Sequence, residues 1–432
     1  MQTFSKQQIT AAEEIILQFN QQNAERWVTL SAQMQSGKTD TFYLVAFQLL
    51  HMNVISHVVI MCGSAEKELK RQVLNRKEVI RKYRKYIRGK IQDVQPDITA
   101  DDLIDQIDYI IYDIDNDDNY SYMWNCDMQK YLKSKSSEPY KNTLFIWEES
   151  HYAQTIDQVP SRFLMKNQIS GNGNNEHLNS NGNFMLSVSA TGFSETIDMI
   201  QMGQDKKHVI LETGDSYYGV KDMMENNQII GFHTFEQGLE DALQVKVLDK
   251  KHYGIVRILN LEKYHNAKKN IKSHGYKVIE YNGDTLKRNT CEIKTLNELA
   301  NAPKENTVIL IKGMCRMGKQ VPKDHIAFVI ESSNKPNADT ILQGLLGRMC
   351  GYGQKNTNVK IYMNDYVFRT KELENYCSLN TTFDINHVPT HAKNICKRKI
   401  KKSNGDKTII RTSMMEYFQY NYDEISTLSS HK

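Results

Sequence analysis

One segment near the amino terminus has the residue types and spacing needed to hold the phosphates of a nucleotide. Residues 32–39 read AQMQSGKT, follow an apolar run predicted to be a strand, and precede a segment predicted to be a helix. Backbone N–H groups at such a turn cradle phosphate oxygens, the Lys38 ammonium reaches the β and γ phosphates, and the Thr39 hydroxyl binds magnesium. The predicted phosphate-binding residues are Gln33, Met34, Gln35, Ser36, Gly37, Lys38 and Thr39. Ala32 stands where the general pattern has its first glycine, and an ordinary turn with a helix cap is the alternative.

A second candidate group is a pair of acidic residues at the end of an apolar run. Glu148 and Glu149 directly follow Leu144–Trp147, so a strand formed by this run carries both carboxylates to its carboxyl end. Phosphoanhydride hydrolysis needs one carboxylate to organise magnesium and another to align or deprotonate the attacking water. We predict the first role for Glu148 and the second for Glu149. The alternative is a solvated pair of glutamates that begins a helix.

The elements that must position these groups alternate along the chain as strands and helices. Short apolar runs predict strands, and helix-length segments such as 39–50 and 261–273 separate them. This pattern predicts two tandem α/β domains, each with a mostly parallel sheet flanked by helices. We expect the first domain at 1–211, a connector at 212–245, the second domain at 246–395 and a basic tail at 396–432. The predicted strands are Trp27–Leu30, Val58–Cys62, Thr143–Trp147, Met185–Ser189, His208–Leu211, Tyr253–Ile258, Tyr276–Tyr281, Asn306–Ile311, His325–Glu331 and Val359–Met363.

Charge is segregated along a chain whose composition is otherwise that of a globular protein. The 432 residues are 40% hydrophobic and 25% charged, which allows about two to four domains. A net charge of +4 is too small to identify a nucleic-acid-binding protein. However, residues 67–90 contain 11 basic and 2 acidic residues, whereas residues 93–118 contain 10 aspartates and no Lys or Arg. The basic segment is a candidate contact for a phosphate backbone, with Tyr83 and Tyr86 as candidates to stack on bases, and a solvated helix face is the alternative.

The spacing of the cysteines and the hydropathy of the chain indicate in which cellular compartment the protein is expected. The 7 cysteines are widely spaced and form no C-x-x-C pair, which argues against both a disulfide framework and a tetrahedral zinc site. The amino terminus lacks an apolar signal core, and no apolar run approaches the ~20 residues that span a bilayer. We therefore expect an intracellular protein with no membrane partner, in the cytoplasm, in the nucleus or in virus-infected cells.

The order of motifs resembles that of the superfamily 2 helicases and translocases of the DEAD/DEAH-box type, over about residues 5–365. Gln8, or Gln7 beside it, lies where that family places an adenine-reading glutamine. Residues 62–64 resemble its motif for gripping a nucleic-acid backbone, residues 148–151 its acidic box, and residues 189–191 its Ser-Ala-Thr coupling motif. The resemblance implies nucleic-acid contacts at Gly63, Ser64 and Gln72, and coupling roles for His151, Ser189 and Thr191.

Two motifs in the second half extend this resemblance. Residues 315–322 resemble the family's Arg-Gly motif, which implies that Arg316 contacts backbone phosphate and Gly318 the nucleotide. Residues 343–352 resemble its final Gln/Gly-Arg motif, whose arginine, here Arg348, stabilises the γ-phosphate during transfer. Gly351 stands where the family usually has a second arginine, and the interval from Gln343 to Gly347 is one residue longer than usual.

Together these motifs imply two tandem RecA-like (P-loop NTPase) domains with ATP and Mg²⁺ in the cleft between them. The implied activity is that of an ATP hydrolase, with Lys38, Glu149 and Arg348 as catalytic residues, that moves along or unwinds DNA or RNA. A genome-packaging, terminase-like motor ATPase is one alternative, and it needs a nuclease-type carboxylate cluster. A nucleotide-gated nucleic-acid-binding protein without unwinding activity is another. The choice between DNA and RNA, the polarity and the oligomeric state stay open.

Overall fold

In a computed structural model, the chain folds into two compact units. The first comprises Met1–Ala32, Gly37–Gly214 and Ala392–Lys432, and the second comprises Gln33–Ser36 and Asp215–His391. The structure describes residues 3–21, 26–64, 67–150, 158–169, 175–190, 207–245, 251–258, 260–312, 321–333, 342, 344–353, 358–379, 398–401 and 408–411.

A six-stranded sheet, parallel throughout, forms the centre of the first unit. In spatial order its strands are β3 (Tyr120–Trp124), β2 (His57–Cys62), β4 (Thr143–Glu148), β5 (Phe184–Ser189), β1 (Trp27–Ala32) and β6 (Lys207–Leu211). Alternate side chains of β4 enter two different cores, because successive residues of a strand point to opposite faces. Leu144 and Ile146 belong to one core, and Phe145 and Trp147 belong to the other. The sheet is thus buried on both faces, as parallel sheets are.

Helices cover both faces of this sheet. They are α1 (Lys6–Asn20), α2 (Lys38–His51), α3 (Lys67–Leu74), α4 (Arg76–Val94), α5 (Ala100–Asp115), α6 (Asn125–Lys133), α7 (Val159–Lys166) and α8 (Asn175–Ser180). Helices α1, α2, α4 and α5 contribute apolar side chains to the core that contains Leu144. Helices α6, α7 and α8 contribute to the core that contains Phe145.

The second unit repeats this architecture. Its parallel sheet has the spatial order β10 (Lys277–Asn282), β11 (Thr307–Lys312), β9 (Tyr253–Ile258), β12 (Ile326–Glu331), β14 (Lys360–Asn364) and β8 (Ile229–Phe232). Its helices are α9 (Val220–Glu225), α10 (Phe235–Leu243), α11 (Leu261–Ser273), α12 (Gly283–Lys287), α13 (Leu345–Met349), α14 (Tyr366–Arg369) and α15 (Glu372–Leu379). Two short strands, β7 (Tyr217–Tyr218) and β13 (Gly351–Tyr352), pair antiparallel.

The predicted fold class, two α/β domains with mostly parallel sheets flanked by helices, is confirmed. Every predicted strand is present within two residues of its predicted bounds, and the predicted helix 261–273 is α11. Two strands of the six-stranded sheets were not predicted. β3 is an edge strand with three half-buried residues in its middle, and β8 is an edge strand of only four residues, so neither has a long apolar run.

Two expected segments outside the domains contain regular structure. The segment 212–245 was expected to be a connector, and this was wrong, because it supplies β8, α9 and α10 to the second unit. In the expected basic tail at 396–432, β15 (Arg398–Lys401) and β16 (Thr408–Arg411) pair antiparallel. Among the described residues, no helix is both long and apolar enough to cross a bilayer.

A buried ion pair holds helix α13 against the second sheet. Arg257 Nε of β9 lies 2.7 Å from Glu331 Oε2 at the end of β12, and both side chains are less than 5% exposed. The other carboxylate oxygen, Oε1, accepts a 2.7 Å hydrogen bond from the backbone N–H of Leu345, the first residue of α13. One carboxylate therefore joins two neighbouring strands and the helix that carries Arg348.

We expect Glu331→Ala to lower the free energy of unfolding of the second unit by about 3–5 kcal/mol, because it leaves the Arg257 guanidinium buried without its carboxylate. Urea denaturation measures this loss. The control is Glu225→Ala, which removes one partner of the exposed Lys221–Glu225 pair and is expected to cost less than about 1 kcal/mol. Equal losses in the two variants would contradict the buried pair.

Candidate nucleotide site

The predicted phosphate loop lies between a buried strand and the amino terminus of a helix. Strand β1 ends at Ala32, α2 begins at Lys38, and Thr39 is the second residue of that helix. Gly37 has φ 101°, a left-handed conformation that favours glycine. A Cβ at this position would also lie 2.4 Å from Gln8 Nε2, so a larger residue would clash. The first N–H groups of a helix have no acceptor within the helix, so those of α2 can bind an anion, as the sequence predicts.

Gln8 fixes this loop from the neighbouring helix α1. Its Nε2 donates to the Gly37 carbonyl at 3.1 Å and to Asp40 Oδ2 at 3.4 Å. Its Oε1 accepts from the Ser5 backbone N–H at 2.9 Å, as part of the capping box of α1. Both ends of the buried amide therefore make protein contacts. The expected contact of Gln8 or Gln7 with adenine stays a prediction.

Asp40 extends the support of the loop to helix α4. Its Oδ2 lies 2.7 Å from Lys82 Nζ, and both side chains are about one-fifth exposed. Asp40 lies in the first turn of α2, where a carboxylate is favourable beside the helix dipole. Sequence reasoning missed this residue and its partner, because the lysine is 42 residues away in the chain.

Glu148 and Glu149 are adjacent buried carboxylates at the carboxyl end of β4. Their exposed fractions are 4% and 6%. Glu149 has φ 52°, a conformation that is uncommon for residues other than glycine and that ends the strand abruptly. Because β4 and β1 are parallel strands separated by β5, their carboxyl ends lie at one edge of the sheet. The acidic pair and the phosphate loop therefore share that edge.

The environment of Glu148 disfavours its negative charge. Burial, followed by the neighbouring carboxylate of Glu149, raises the pKa of this carboxyl to about 8. The Lys38 ammonium lowers this pKa, so Lys38 and Glu148 lie within electrostatic reach of each other. Within the described part of the chain, no group donates a hydrogen bond to Glu148 Oε2.

These residues fit a magnesium ion. Hard oxygen ligands are the kind that Mg²⁺ takes, and the site offers two adjacent buried carboxylates, one with an oxygen that accepts no hydrogen bond from the described residues. Mg²⁺ bound with a nucleotide usually needs only one or two carboxylates, the remaining ligands being phosphate oxygens and water. Glu148 and Thr39 are the candidate ligands.

A backbone contact joins the acidic segment to the strand of the predicted coupling motif. The Ser150 N–H donates to the Val188 carbonyl at 3.1 Å, and Ser189 is the buried last residue of β5. His151 and Thr191, the other predicted coupling residues, lie outside the described residues. Of the three predicted coupling residues, Ser189 is thus the one whose position beside the acidic segment is described.

Two predicted nucleic-acid residues lie directly after β2. Gly63 and Ser64 are buried, and the Gly63 carbonyl accepts from Asn125 Nδ2 at 3.3 Å. Gln72 lies on α3, but its side chain is outside the described part, as is Arg316. Tyr83 is fully buried, so it cannot stack on a base as expected, because it packs in the apolar core beneath α4.

Helix α13 carries Arg348, the predicted γ-phosphate arginine. Arg348 is buried on this helix, and the Gly347 and Arg348 carbonyls accept from Gln35 Nε2 at 3.2 and 3.1 Å. Tyr217 Oη donates to the Met34 carbonyl at 2.6 Å. Residues 33–36, counted with this unit, therefore contact the segment that carries Arg348. Gly318 lies outside the described residues.

Comparison with known proteins gives one sequence relative. "Uncharacterized protein L594" of Acanthamoeba polyphaga mimivirus is 30% identical over 232 residues, which are 49% of this chain and 55% of the relative. This chain thus spans about half the length of that relative. No protein-family model matches the chain.

The solved structures that this chain matches include two proteins bound to nucleic acid. Dbp5 of S. cerevisiae, bound to RNA and ADP BeF3, is 14% identical with a TM-score of 0.45, over 88% of this chain and 91% of that one. RecG bound to a three-way DNA junction is 14% identical with a TM-score of 0.47, over 98% of this chain and 50% of that one. Neither a family nor an activity of this chain follows from these values.

We expect Gln8→Ala to weaken binding of a fluorescent ATP analogue and to lower the free energy of unfolding by about 1–3 kcal/mol, because the Gly37 carbonyl and the Ser5 N–H lose their partner. The neighbouring Gln7→Ala is the control, expected to change stability by less than about 0.5 kcal/mol. The two variants would have equal affinities if Gln8 did not support the loop.

We also predict that Glu148→Gln stabilises the protein without nucleotide and magnesium, and more so as pH rises. Because the folded pKa, about 8, exceeds the ordinary value of 4.5, the folded state holds its proton more tightly. Stability is therefore lost as pH rises from about 4.5 to about 8, and glutamine removes that loss. The measurement is the difference in Tm between variant and wild type at pH 5 and pH 8.

The exposed Glu138 provides the matched control for this titration. Its substitution, Glu138→Gln, is expected to give a Tm difference that does not grow over the same pH range. A Glu148→Gln difference that stays constant from pH 5 to pH 8 would show that burial does not raise the pKa of Glu148.

Proposed function

We propose that the protein is a nucleic-acid-dependent ATP hydrolase that acts as a helicase or translocase. The observation that carries this proposal is the placement of Glu148, Glu149 and Lys38 at one edge of a parallel sheet, next to the phosphate loop. Two buried carboxylates beside a lysine and a helix amino terminus form a site that favours a phosphate group together with a divalent cation.

In this proposal the phosphate loop holds the triphosphate of ATP. The N–H groups at the start of α2 and the Lys38 ammonium bind the β and γ phosphates, and Gln8 maintains the conformation of Gly37. Thr39 and Glu148 would hold Mg²⁺, which neutralises phosphate charge when bound.

Glu149 is the residue that we assign to the attacking water. Its carboxylate lies one residue beyond β4, where it accepts a hydrogen bond from the water and takes a proton as the water attacks the γ-phosphorus. The bond from the γ-phosphorus to the bridging oxygen breaks, and ADP leaves with that oxygen. Arg348 as the group that stabilises the developing charge is an assignment carried by the sequence motif.

The nucleic-acid part of the proposal is supported by the sequence motifs at 62–64 and 315–322 and by the basic segment 67–90. Ser189, buried beside the acidic segment, is the proposed link between hydrolysis and the strand. The partner is DNA or RNA, since phosphate contacts do not distinguish them.

The decisive experiment measures ATP turnover with and without single- and double-stranded DNA and RNA. We expect at least one of these nucleic acids to stimulate phosphate release, and Lys38→Ala to reduce it by about 100-fold or more, because a cation at the transferring phosphoryl group is lost. Lys130→Ala, which changes an exposed lysine on α6, should leave turnover as in wild type. Turnover that survives in Lys38→Ala would refute the site.

A further inference from the structure

Helix α4 carries a row of exposed cations on its outer face. Lys77, Arg81, Lys85 and Arg88 are all exposed and follow one another at intervals of four, four and three residues. Residues at these intervals lie on one side of a helix. We propose that this row, the α4 stripe, binds the phosphate backbone of a nucleic-acid strand. The inference rests on the proposed function, since it names where that function's partner binds.

Other cations of the same helix have protein partners. Arg76 contacts Asp117 at 2.6 Å, Lys82 contacts Asp40 at 2.7 Å, and Arg84 contacts Asp108 at 2.5 Å. Within the described part of the chain, no ion pair or hydrogen bond involves the side chains of the four stripe residues. Arg76 and Lys82 thus lie away from the stripe, whereas Arg84 lies beside it and is paired with Asp108.

The stripe keeps like charges next to one another, and none of the four cations forms an ion pair with the residues that the structure describes. Pairs of like charge at spacings of three or four residues each destabilise a helix by about 0.2–0.5 kcal/mol. Glu78, the acidic residue in the first turn of α4, accepts a hydrogen bond from Asn75 instead. A polyanion bound along α4 removes this repulsion, whereas water and small ions only screen it.

The dimensions of the stripe suit a strand. Its first and last residues are 11 positions apart, which is about 17 Å along a helix. Each strand of a B-form duplex has one phosphate per ~3.4 Å of helix axis, so about five phosphates fit along this length and each cation can meet one.

A cleft beside the stripe adds an apolar wall. It has a volume of about 200 Å³, lies between α4 and α5, and is lined by Arg84, Lys85, Arg88, Ile104, Ile107 and Asp108. Lys85 and Arg88 therefore belong to the stripe and also line the cleft. The exposed aspartates of α5 repel phosphate, which confines a strand to the α4 side.

The test uses the full chain without ATP and a fluorescent single-stranded oligonucleotide. We expect Arg81→Gln/Lys85→Gln to weaken binding about tenfold at low salt. The slope of log affinity against log salt should fall by about 1.4, because each phosphate contact on a single strand contributes about 0.7. The charge-preserving variant Arg81→Lys/Lys85→Arg should keep the wild-type affinity and slope.

The matched control removes the same net charge from another exposed helix. Lys130→Gln/Lys133→Gln on α6 should bind as wild type does. Equal losses in the two double variants, or no loss in the stripe variant, would overturn the inference. Because the assay contains no ATP, failure of Lys38-dependent turnover would refute the proposed function and leave the stripe result standing. Thermal melting of each variant verifies that all are folded.

Discussion

Two neighbouring carboxylates buried at the end of β4 are the constraint on which the site of the first unit depends. Burying one charged group is unfavourable, and a second charge of the same sign beside it adds to the cost. The Lys38 ammonium offsets part of this cost, because it lowers the pKa of Glu148, which burial and Glu149 raise. Delivering Lys38 to this edge requires β1 and β4 in one parallel sheet, with the loop after β1 turning sharply at Gly37.

The loop that brings Lys38 to the carboxylates is itself held by polar contacts from two helices. Gln8 of α1 contacts Gly37 and Asp40, and Lys82 of α4 contacts Asp40. A left-handed glycine in a short loop has few contacts of its own, so these neighbours define its conformation. The same helix α4 therefore has an inner face that supports the phosphate loop and an outer face with the cations of the stripe.

In the second unit, a buried ion pair holds the segment that carries the predicted catalytic residue. In the first unit, a supported loop does this. Glu331 joins Arg257 to the backbone N–H of Leu345, so a carboxylate of β12 holds the start of the helix that carries Arg348. In both units the predicted catalytic residues thus follow the carboxyl ends of parallel strands, which is where open α/β sheets bind their ligands. Buried charges in both depend on partners that are distant in sequence.

The sequence by itself determined the fold class, because apolar runs such as 143–147 and 253–258 are long enough to indicate buried strands. It also predicted a phosphate loop and an acidic pair, because each lies within a few consecutive residues, and their role in nucleotide binding stays a prediction. Only the tertiary structure decided that Gln8 supports the loop, that Tyr83 is buried, that Asp40 meets Lys82, and which cations of α4 face outward. These features depend on contacts between residues far apart in the chain, and no local pattern of residue types encodes which partner a polar side chain finds. The short edge strand β8 was missed for a related reason: its four residues become a strand through pairing with β14.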